Sequence, residues 1–253
     1  MGKIYDKSIN EIMIDYFGKL SPADIFSTQE MLQYFNDNYP LIKKGSVLGH
    51  LILFSTNAKS RINHSRHNNG KCDLLFKINK NQYRLFDKLK DPHPTYLENI
   101  GELTEGGQKE DDDNPHFENT QEFAYEKDLQ NYLVKNLQAI ESGLQLFEDD
   151  DVTGIEYPAD GRSIDILAVD KNNDFVVFEL KVSKGYDRVI GQLLYYISWV
   201  EKNMATENQK VRGIIICKEI SDDLLLACSK LKDVELFEYE LSFKVKRRLS
   251  DES

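Results

Sequence analysis

The stretch Arg162-Ser-Ile-Asp165-Ile-Leu-Ala-Val-Asp170-Lys-Asn-Asn-Asp174-Phe-Val-Val-Phe-Glu179-Leu-Lys181 reads as two strands joined by a tight turn. Asn172-Asn173-Asp174 supplies the turn chemistry. Side chains alternate along a strand, so Glu179 and Lys181 share a face with Phe175 and Val177. Val176, Phe178 and Leu180 take the other face. Both faces are apolar until the strand's end, which predicts a central strand covered on both sides. Ile164, Ile166 and Leu167 form the preceding strand, and the short connection makes the pair antiparallel. Asp165 then lies across from the end of the Glu179 strand. Two carboxylates and an ammonium converge where the apolar run stops.

These residue types suit metal-assisted phosphodiester hydrolysis. Mg²⁺ takes oxygen ligands and keeps several waters, and Asp165, Glu179 and the Leu180 carbonyl oxygen offer three oxygens. Such an ion polarises a phosphate and activates water. Lys181 is placed to orient or deprotonate that water and to neutralise developing charge. Without a cation the two carboxylates repel, and one has its pKa raised. The bland alternative is a surface hairpin with a Glu-x-Lys ion pair. Glu-x-Lys alone carries no weight; Asp165 at the matching place gives it weight. Asp160 is a rival first acid, but Asp160-Gly161 reads as a turn.

The flanking segments read as helices. Tyr125 to Gly143 carries Leu129, Tyr132, Leu133, Leu137 and Ile140 at helical spacing, with Gly143 as a candidate C-terminal cap. Glu126 in its first turn serves either the helix dipole or the acidic site. Arg188 to Met204 forms a second helix with Gln192, Tyr195, Tyr196 and Trp199 on one face. Trp199 reads as core, whereas Gln192, at the head of the stripe, needs a polar partner. Lys184 and Arg188 near this helix's start are candidates to meet phosphate. Val211–Cys217 and Val234–Tyr239 complete the sheet around a helix Asp222–Leu231 capped by Ser221. Leu241 to Arg248, with Lys244, Lys246, Arg247 and Arg248, reads as a basic edge or tail.

Together these stretches resemble the PD-(D/E)xK nuclease superfamily, and within it the NucS-like (DUF91-type) endonuclease domain. The likeness rests on Glu126-Lys-Asp-Leu-Gln-Asn-Tyr-Leu, Gly161-Arg-Ser-Ile-Asp165-Ile-Leu-Ala-Val-Asp170, Val177-Phe-Glu179-Leu-Lys181 and Gln192-Leu-Leu-Tyr-Tyr196. It covers about residues 122–240. The resemblance implies metal ligands at Asp165 and Glu179, a catalytic Lys181, an acidic helper at Glu126, and a Gln192-x-x-x-Tyr196 motif beside the core. It also implies a restriction-endonuclease-like α/β fold, a mixed sheet flanked by helices. The chain departs from the pattern in one place, where Ile164 rather than proline precedes Asp165.

The net charge of −11 conceals a segregation. Residues 41–90 hold eleven Lys or Arg against Asp73 and Asp87, a net of +9. Residues 98–122 hold nine acids against Lys109, a net of −8, and read as an acidic flexible linker. That linker could also fold over a basic surface as a mimic of nucleic acid, although a solvated tether is the simpler reading. The expected division is 1–95, a nucleic-acid-binding domain; 96–121, the linker; and 122–253, the nuclease domain.

In the first part, Ser8–Lys19 is one amphipathic helix, Ser27-Thr-Gln-Glu30 caps a second, and Ser46 caps a third running from Val47 to about Ala58. Leu74–Ile78 and Gln82–Phe86 then form a hairpin around Asn79-Lys80-Asn81. This order resembles a winged helix-turn-helix domain, a small α+β unit. The likeness implies a third helix in the major groove and a wing bearing Lys77, Lys80 and Arg84. Dimerisation or protein contact is the other known use of such a fold. Between helix and wing, Asn57, Lys59, Arg61, His64, Arg66 and Lys71 mix phosphate-seeking with base-reading groups, and Lys43 and Lys44 precede the helix. His64, His67 and Cys72 fit no standard zinc spacing and lack a fourth ligand.

These readings point to a DNA endonuclease using Mg²⁺, with Mn²⁺ as a substitute. A restriction-like role against modified or foreign DNA is one expectation. A repair enzyme for branched, mismatched or single-stranded DNA is another, and a non-catalytic DNA-binding regulator a third. A single site of this type cuts one strand, so a homodimer is expected. No apolar run reaches membrane-spanning length. The N-terminus lacks a signal-peptide pattern. Three widely spaced cysteines argue against a disulfide framework, so a cytoplasmic setting is expected.

Overall fold

The computed structural model describes residues 5–64, 70–96, 120–185 and 188–240; for 120–125 and 183–185 it describes the backbone alone. The acidic stretch 97–119 and the basic tail 241–253 lie outside the described residues.

The first part is α1 (Ile9–Phe17), β1 (Ile25–Ser27), α2 (Thr28–Asn38), α3 (Lys44–Phe54), a 3₁₀ turn (Lys59–Asn63), β2 (Leu75–Asn79) and β3 (Gln82–Leu85). Two capping boxes set the starts of α1 and α2, Ser8 with Glu11 and Ser27 with Glu30. The strands form an antiparallel sheet in the order β1-β3-β2. Ile12, Met13, Met31, Phe35, Leu51, Phe54, Leu75 and Tyr83 fill the core of this α+β unit.

The second part is α4 (Thr120–Lys135), α5 (Leu137–Ile140), β4 (Gln145–Leu146), β5 (Glu148–Asp149), β6 (Val152–Thr153), β7 (Ile155–Ala159), β8 (Arg162–Val169), β9 (Phe175–Gly185), α6 (Arg188–Asn203), β10 (Val211–Ile220), α7 (Asp222–Cys228) and β11 (Val234–Glu238). A mixed sheet runs β11-β10-β9-β8-β4, and β7 also pairs with β8. β9, β10 and β11 are parallel; β7, β8 and β4 join antiparallel. Strand β9 is central. Phe175 and Val177 enter the core beneath α6, with Leu193, Tyr196 and Val200. Val176, Phe178 and Leu180 enter the core beneath α4, with Leu129 and Leu133. The two-sided burial read from the apolar run is therefore present, and each such side chain contributes roughly 1.5–3 kcal/mol.

The Asp160-Gly161 link between β7 and β8 has φ of 50° and 86°, a two-residue turn with both residues left-handed. That geometry keeps Asp160 at the hairpin tip and leaves Asp165 on the strand.

The third helix is placed differently from the expectation. It starts at Lys44, two residues before Ser46, with no side-chain cap. It is apolar nearly all round, and such a helix is buried. Leu53 enters the core beneath α6. A Cβ on Gly45 would come within 2.5 Å of Met204, and one on Gly49 within 2.9 Å of Val152. Two glycines four apart thus let the α3 backbone press onto the second part. Ile9 and Asn10 of α1 add hydrogen bonds to Asp150 and Asp151. The helix expected in the major groove is the seam between the two halves.

Smaller differences follow from local chemistry. The helix expected over Tyr125–Gly143 breaks at Asn136, and Tyr132 is 63% exposed rather than buried. Gly143 takes the left-handed conformation in the turn beyond, with φ of 93°. Helix α7 ends at Cys228 but keeps its Ser221 cap.

Candidate active site

Strands β8 and β9 carry the site. Their register pairs Ile166 with Phe178, so Asp165 and Glu179 stand at the next level, where the strands leave the hydrogen-bonded ladder. Asp165 Oδ2 accepts a hydrogen bond from the Leu180 N–H at 2.7 Å. Lys181 Nζ donates to Glu179 Oε1 at 2.8 Å. Glu179 is only 2% exposed. The three residues expected to converge do so.

Burial, and next the Glu179 charge, hold the Asp165 carboxyl well above the usual carboxylate range, with Lys181 pulling the other way. Burial raises Glu179 as well, again against Lys181. Burial alone would lower Lys181, but the Glu179 and Asp165 charges outweigh it and hold the ammonium above its ordinary range. On α6, Tyr196 is buried, and burial followed by the Glu179 and Asp165 charges raises its phenol. The Glu126 charge acts on both Asp165 and Lys181, so the leading helix does bring its acid to this cluster. Gln192 is half-buried on α6 and makes no hydrogen bond among the described residues, and Arg188 is exposed at the start of α6. The Lys184 side chain lies outside the described residues.

Sequence reasoning missed three members of the site. Gln130 of α4, 2% exposed, donates from Nε2 to the Asp165 carbonyl oxygen at 2.7 Å and to Glu156 Oε1 at 3.0 Å. Glu156 of β7 has φ of 49°, rare for a residue with a side chain. Its charge acts on Asp165, Glu179 and Tyr196. Lys127 Nζ lies 3.7 Å from Glu156 Oε1. The signals were slight: Gln130 is one helical turn beyond Glu126, and Glu156 is a lone charge between Ile155 and Tyr157.

Glu179 is buried and Asp165 half-buried, and desolvation and neighbouring acids raise both, a strain that a cation between them would relieve. Among the described residues no three His, Cys, Asp or Glu side chains stand close enough to hold an ion alone. An ion here could take at most these two carboxylates and would need main-chain oxygen and water besides. That suits a hard, water-retaining ion.

Several groups expected to meet DNA have other tasks. Arg61 is fully buried, and its guanidinium donates to Asp73 at 2.7 Å beside the Tyr96 ring. His64 is also buried. Asn57 exchanges two hydrogen bonds with the Lys77 backbone. Arg84 pairs with Asp91 and covers the Phe76 ring. Lys44 reaches Asp160 at 3.3 Å, beside the Trp199 indole that donates to the same carboxylate. Lys43, Lys59, Lys71 and Lys80 are exposed, Lys77 is half-buried, and Arg66 and His67 lie outside the described residues.

A mixed sheet with an acid on one strand, an acid-x-lysine on the next and helices over both faces is the arrangement of the PD-(D/E)xK nucleases. Residues 125–243 match the family model of the endonuclease NucS C-terminal domain, and this part of the chain is similar to that domain. Residues 8–85 match a domain of unknown function, DUF7669. Among solved structures, a repair endonuclease from Pyrococcus abyssi is 23% identical with a TM-score of 0.38, over 52% of this chain and 50% of that one. An EndoMS complex with double-stranded DNA is 20% identical, TM-score 0.39, over 53% and 51%. EndoMS in its apo form is 21% identical, TM-score 0.37, over 47% of each chain. The chain thus spans about half the length of these relatives. Among the described residues no helix is long and apolar enough to cross a membrane.

Proposed function

We propose that this protein is a metal-dependent DNA endonuclease whose active site is Asp165, Glu179 and Lys181. The observation that carries the reading is half-buried Asp165 and buried Glu179 side by side with Lys181 at the end of an apolar central strand. Asp165, Glu179 and the Leu180 carbonyl oxygen would hold Mg²⁺ or Mn²⁺, which supplies Lewis acidity at the scissile phosphate. Lys181, paired to Glu179 without the ion, orients the attacking water and offsets charge on the phosphate. Gln192 and Tyr196 border the phosphate, Glu126 adds acceptor capacity, and Lys184 and Arg188 meet the neighbouring backbone. Exposed Lys43, Lys59, Lys71 and Lys80 hold flanking DNA by charge, the use that remains for the first part once α3 is in the seam.

Two substrate readings stand. The NucS likeness of residues 125–243 supports a repair substrate, branched, mismatched or single-stranded DNA. The basic first part supports selection of particular duplexes in a restriction-like role. Cutting both strands of a duplex requires two such sites and hence a homodimer. Cys72, Cys217 and Cys228 are in no disulfide, which suits a reducing cytoplasm.

The test is a panel of linear, forked, mismatched and modified DNAs with Mg²⁺ or Mn²⁺, using the parent and Asp165→Ala, Glu179→Ala and Lys181→Ala. Each variant should lose at least a hundredfold in cleavage while retaining DNA binding. Lys181→Ala cutting as fast as the parent would sink the mechanism. A parent that cuts nothing on the panel would favour a non-catalytic DNA-binding role.

A further inference from the structure

Gln130 contacts Asp165 at the backbone, the one end of that residue that a bound ion would not occupy. Its amide nitrogen serves two acceptors, the Asp165 carbonyl oxygen at 2.7 Å and Glu156 Oε1 at 3.0 Å. The amide cannot be turned over, because its oxygen would then face two acceptors. In the observed orientation that oxygen is buried with no hydrogen-bond donor. The fold accepts an unsatisfied atom in order to keep both donated bonds. With the Leu180 N–H on Oδ2, Asp165 is gripped at its main chain and at one carboxylate oxygen. The other carboxylate oxygen makes no hydrogen bond among the described residues.

The contacts continue away from the site. Glu156 stands level with Asp165, because Ile155 pairs with Ile166 and Tyr157 with Ile164. Lys127, one turn before Gln130 on α4, lies 3.7 Å from Glu156 Oε1 and donates to Asn63 Oδ1 at 3.0 Å. Asn63 ends the 3₁₀ turn of the first part, and its carbonyl oxygen accepts from Thr153 Oγ1 at 2.8 Å. An unbroken polar path therefore runs Asn63–Lys127–Glu156–Gln130–Asp165 across the seam.

We propose that Gln130 is the positioning residue for Asp165, and that this path makes Asn63 of the first part a determinant of the ion-holding geometry. The proposal rests on the reading that Asp165 and Glu179 hold a divalent ion. It assigns the first part a task inside the active site besides holding DNA. Groups that orient metal ligands in this way are worth about ten- to a hundredfold in metal affinity.

The test is Mn²⁺ titration calorimetry on the full chain without DNA, well below the melting temperature. Gln130→Met keeps the length of the side chain and removes both donors. It should weaken Mn²⁺ binding about tenfold or more, and Asn63→Ala and Lys127→Met should each weaken it severalfold. A merely structural role would lower the melting temperature and leave the Mn²⁺ affinity of the folded protein unchanged. Folded Gln130→Met with parental affinity overturns the positioning role. Parental affinity in both Asn63→Ala and Lys127→Met overturns the link to the first part, and these two variants decide the matter if Gln130→Met does not fold. Asp165→Ala is the control. If it binds Mn²⁺ as the parent does, the ion-site reading itself fails, which is a separate result from the failure of Gln130→Met alone.

Discussion

At Asp165 the fold keeps a half-buried carboxylate close to a second, buried one. Burial and the Glu179 charge raise its pKa, and burial raises Glu179 too. An acid whose folded pKa lies above its unfolded value holds a proton that the unfolded chain has already released. The native state then binds more protons than the unfolded state, so stability falls as pH rises. The fall begins in the ordinary carboxylate range and is complete once pH exceeds the raised values of the pair. Lys181 is protonated in both states across this window and adds no slope there. This pair's contribution to the stability of the metal-free protein should therefore fall as pH is raised from about 4 towards neutrality, against the opposite trend of Asp15, Glu30, Asp87 and Asp91, whose partners hold them low. Asp165→Asn should flatten that slope and melt higher than the parent in EDTA. Mn²⁺ should raise the parent's melting temperature more at pH 8 than at pH 5, because protons compete for the ligands. Thermal unfolding of both proteins, with and without Mn²⁺, checks all three. An Asp165→Asn slope identical to the parent's would show that this carboxylate does not titrate as its burial demands.

Among the elements, β9 was legible because the signals that set it lie within its own stretch of sequence. An alternating apolar run, a turn of Asn and Asp, and charge at one end leave a single register. Helix α3 was misread although its signal was present. Val47, Leu48, Leu51, Ile52, Leu53 and Phe54 surround the axis, and Gly45 and Gly49 open one side for close approach. What such a helix packs against is a matter of partners more than a hundred residues away, Val152 and Met204 among them. Arg61 was misread for the same kind of reason: its partner Asp73 is visible in the sequence, but the Tyr96 ring beside them is not assignable without the fold. Glu156 was missed because its place depends on β7 pairing with β8 and on a left-handed backbone. If α3 is the seam, adding bulk to it must separate the halves. Gly49→Leu should destabilise the chain by about 1–3 kcal/mol in denaturant unfolding. Val152→Ala in the same chain should recover part of that loss, since the two sites touch and their effects should not add. Strict additivity would place Gly49 away from Val152 in solution.

For the whole molecule, the charge that matters is its distribution. A chain of net charge −11 should be repelled by DNA, yet residues 41–90 carry a net of +9. The structure narrows that excess, since Arg61, Arg84 and Lys44 spend their charge on Asp73, Asp91 and Asp160. Other exposed lysines of this stretch, Lys43, Lys59, Lys80 and Lys88 among them, stand on the same part of the chain as Asn63. DNA held by them would lie on the part of the chain that also carries Asn63, which Lys127 contacts. Each phosphate they neutralise releases counterions and adds roughly 0.9 to the slope of log affinity against log salt. Binding of the inactive Asp165→Ala protein to a duplex should therefore weaken steeply with salt. Changing Lys43, Lys59 and Lys80 together to Gln should make that slope shallower by about 2–3 and weaken binding to unrelated sequences alike. Fluorescence anisotropy across a salt series measures both. A slope unchanged in the triple variant would move the DNA-holding surface to the nuclease half, where Arg162 and Arg188 are exposed beside α6. Gln in place of those two arginines should then produce the loss instead.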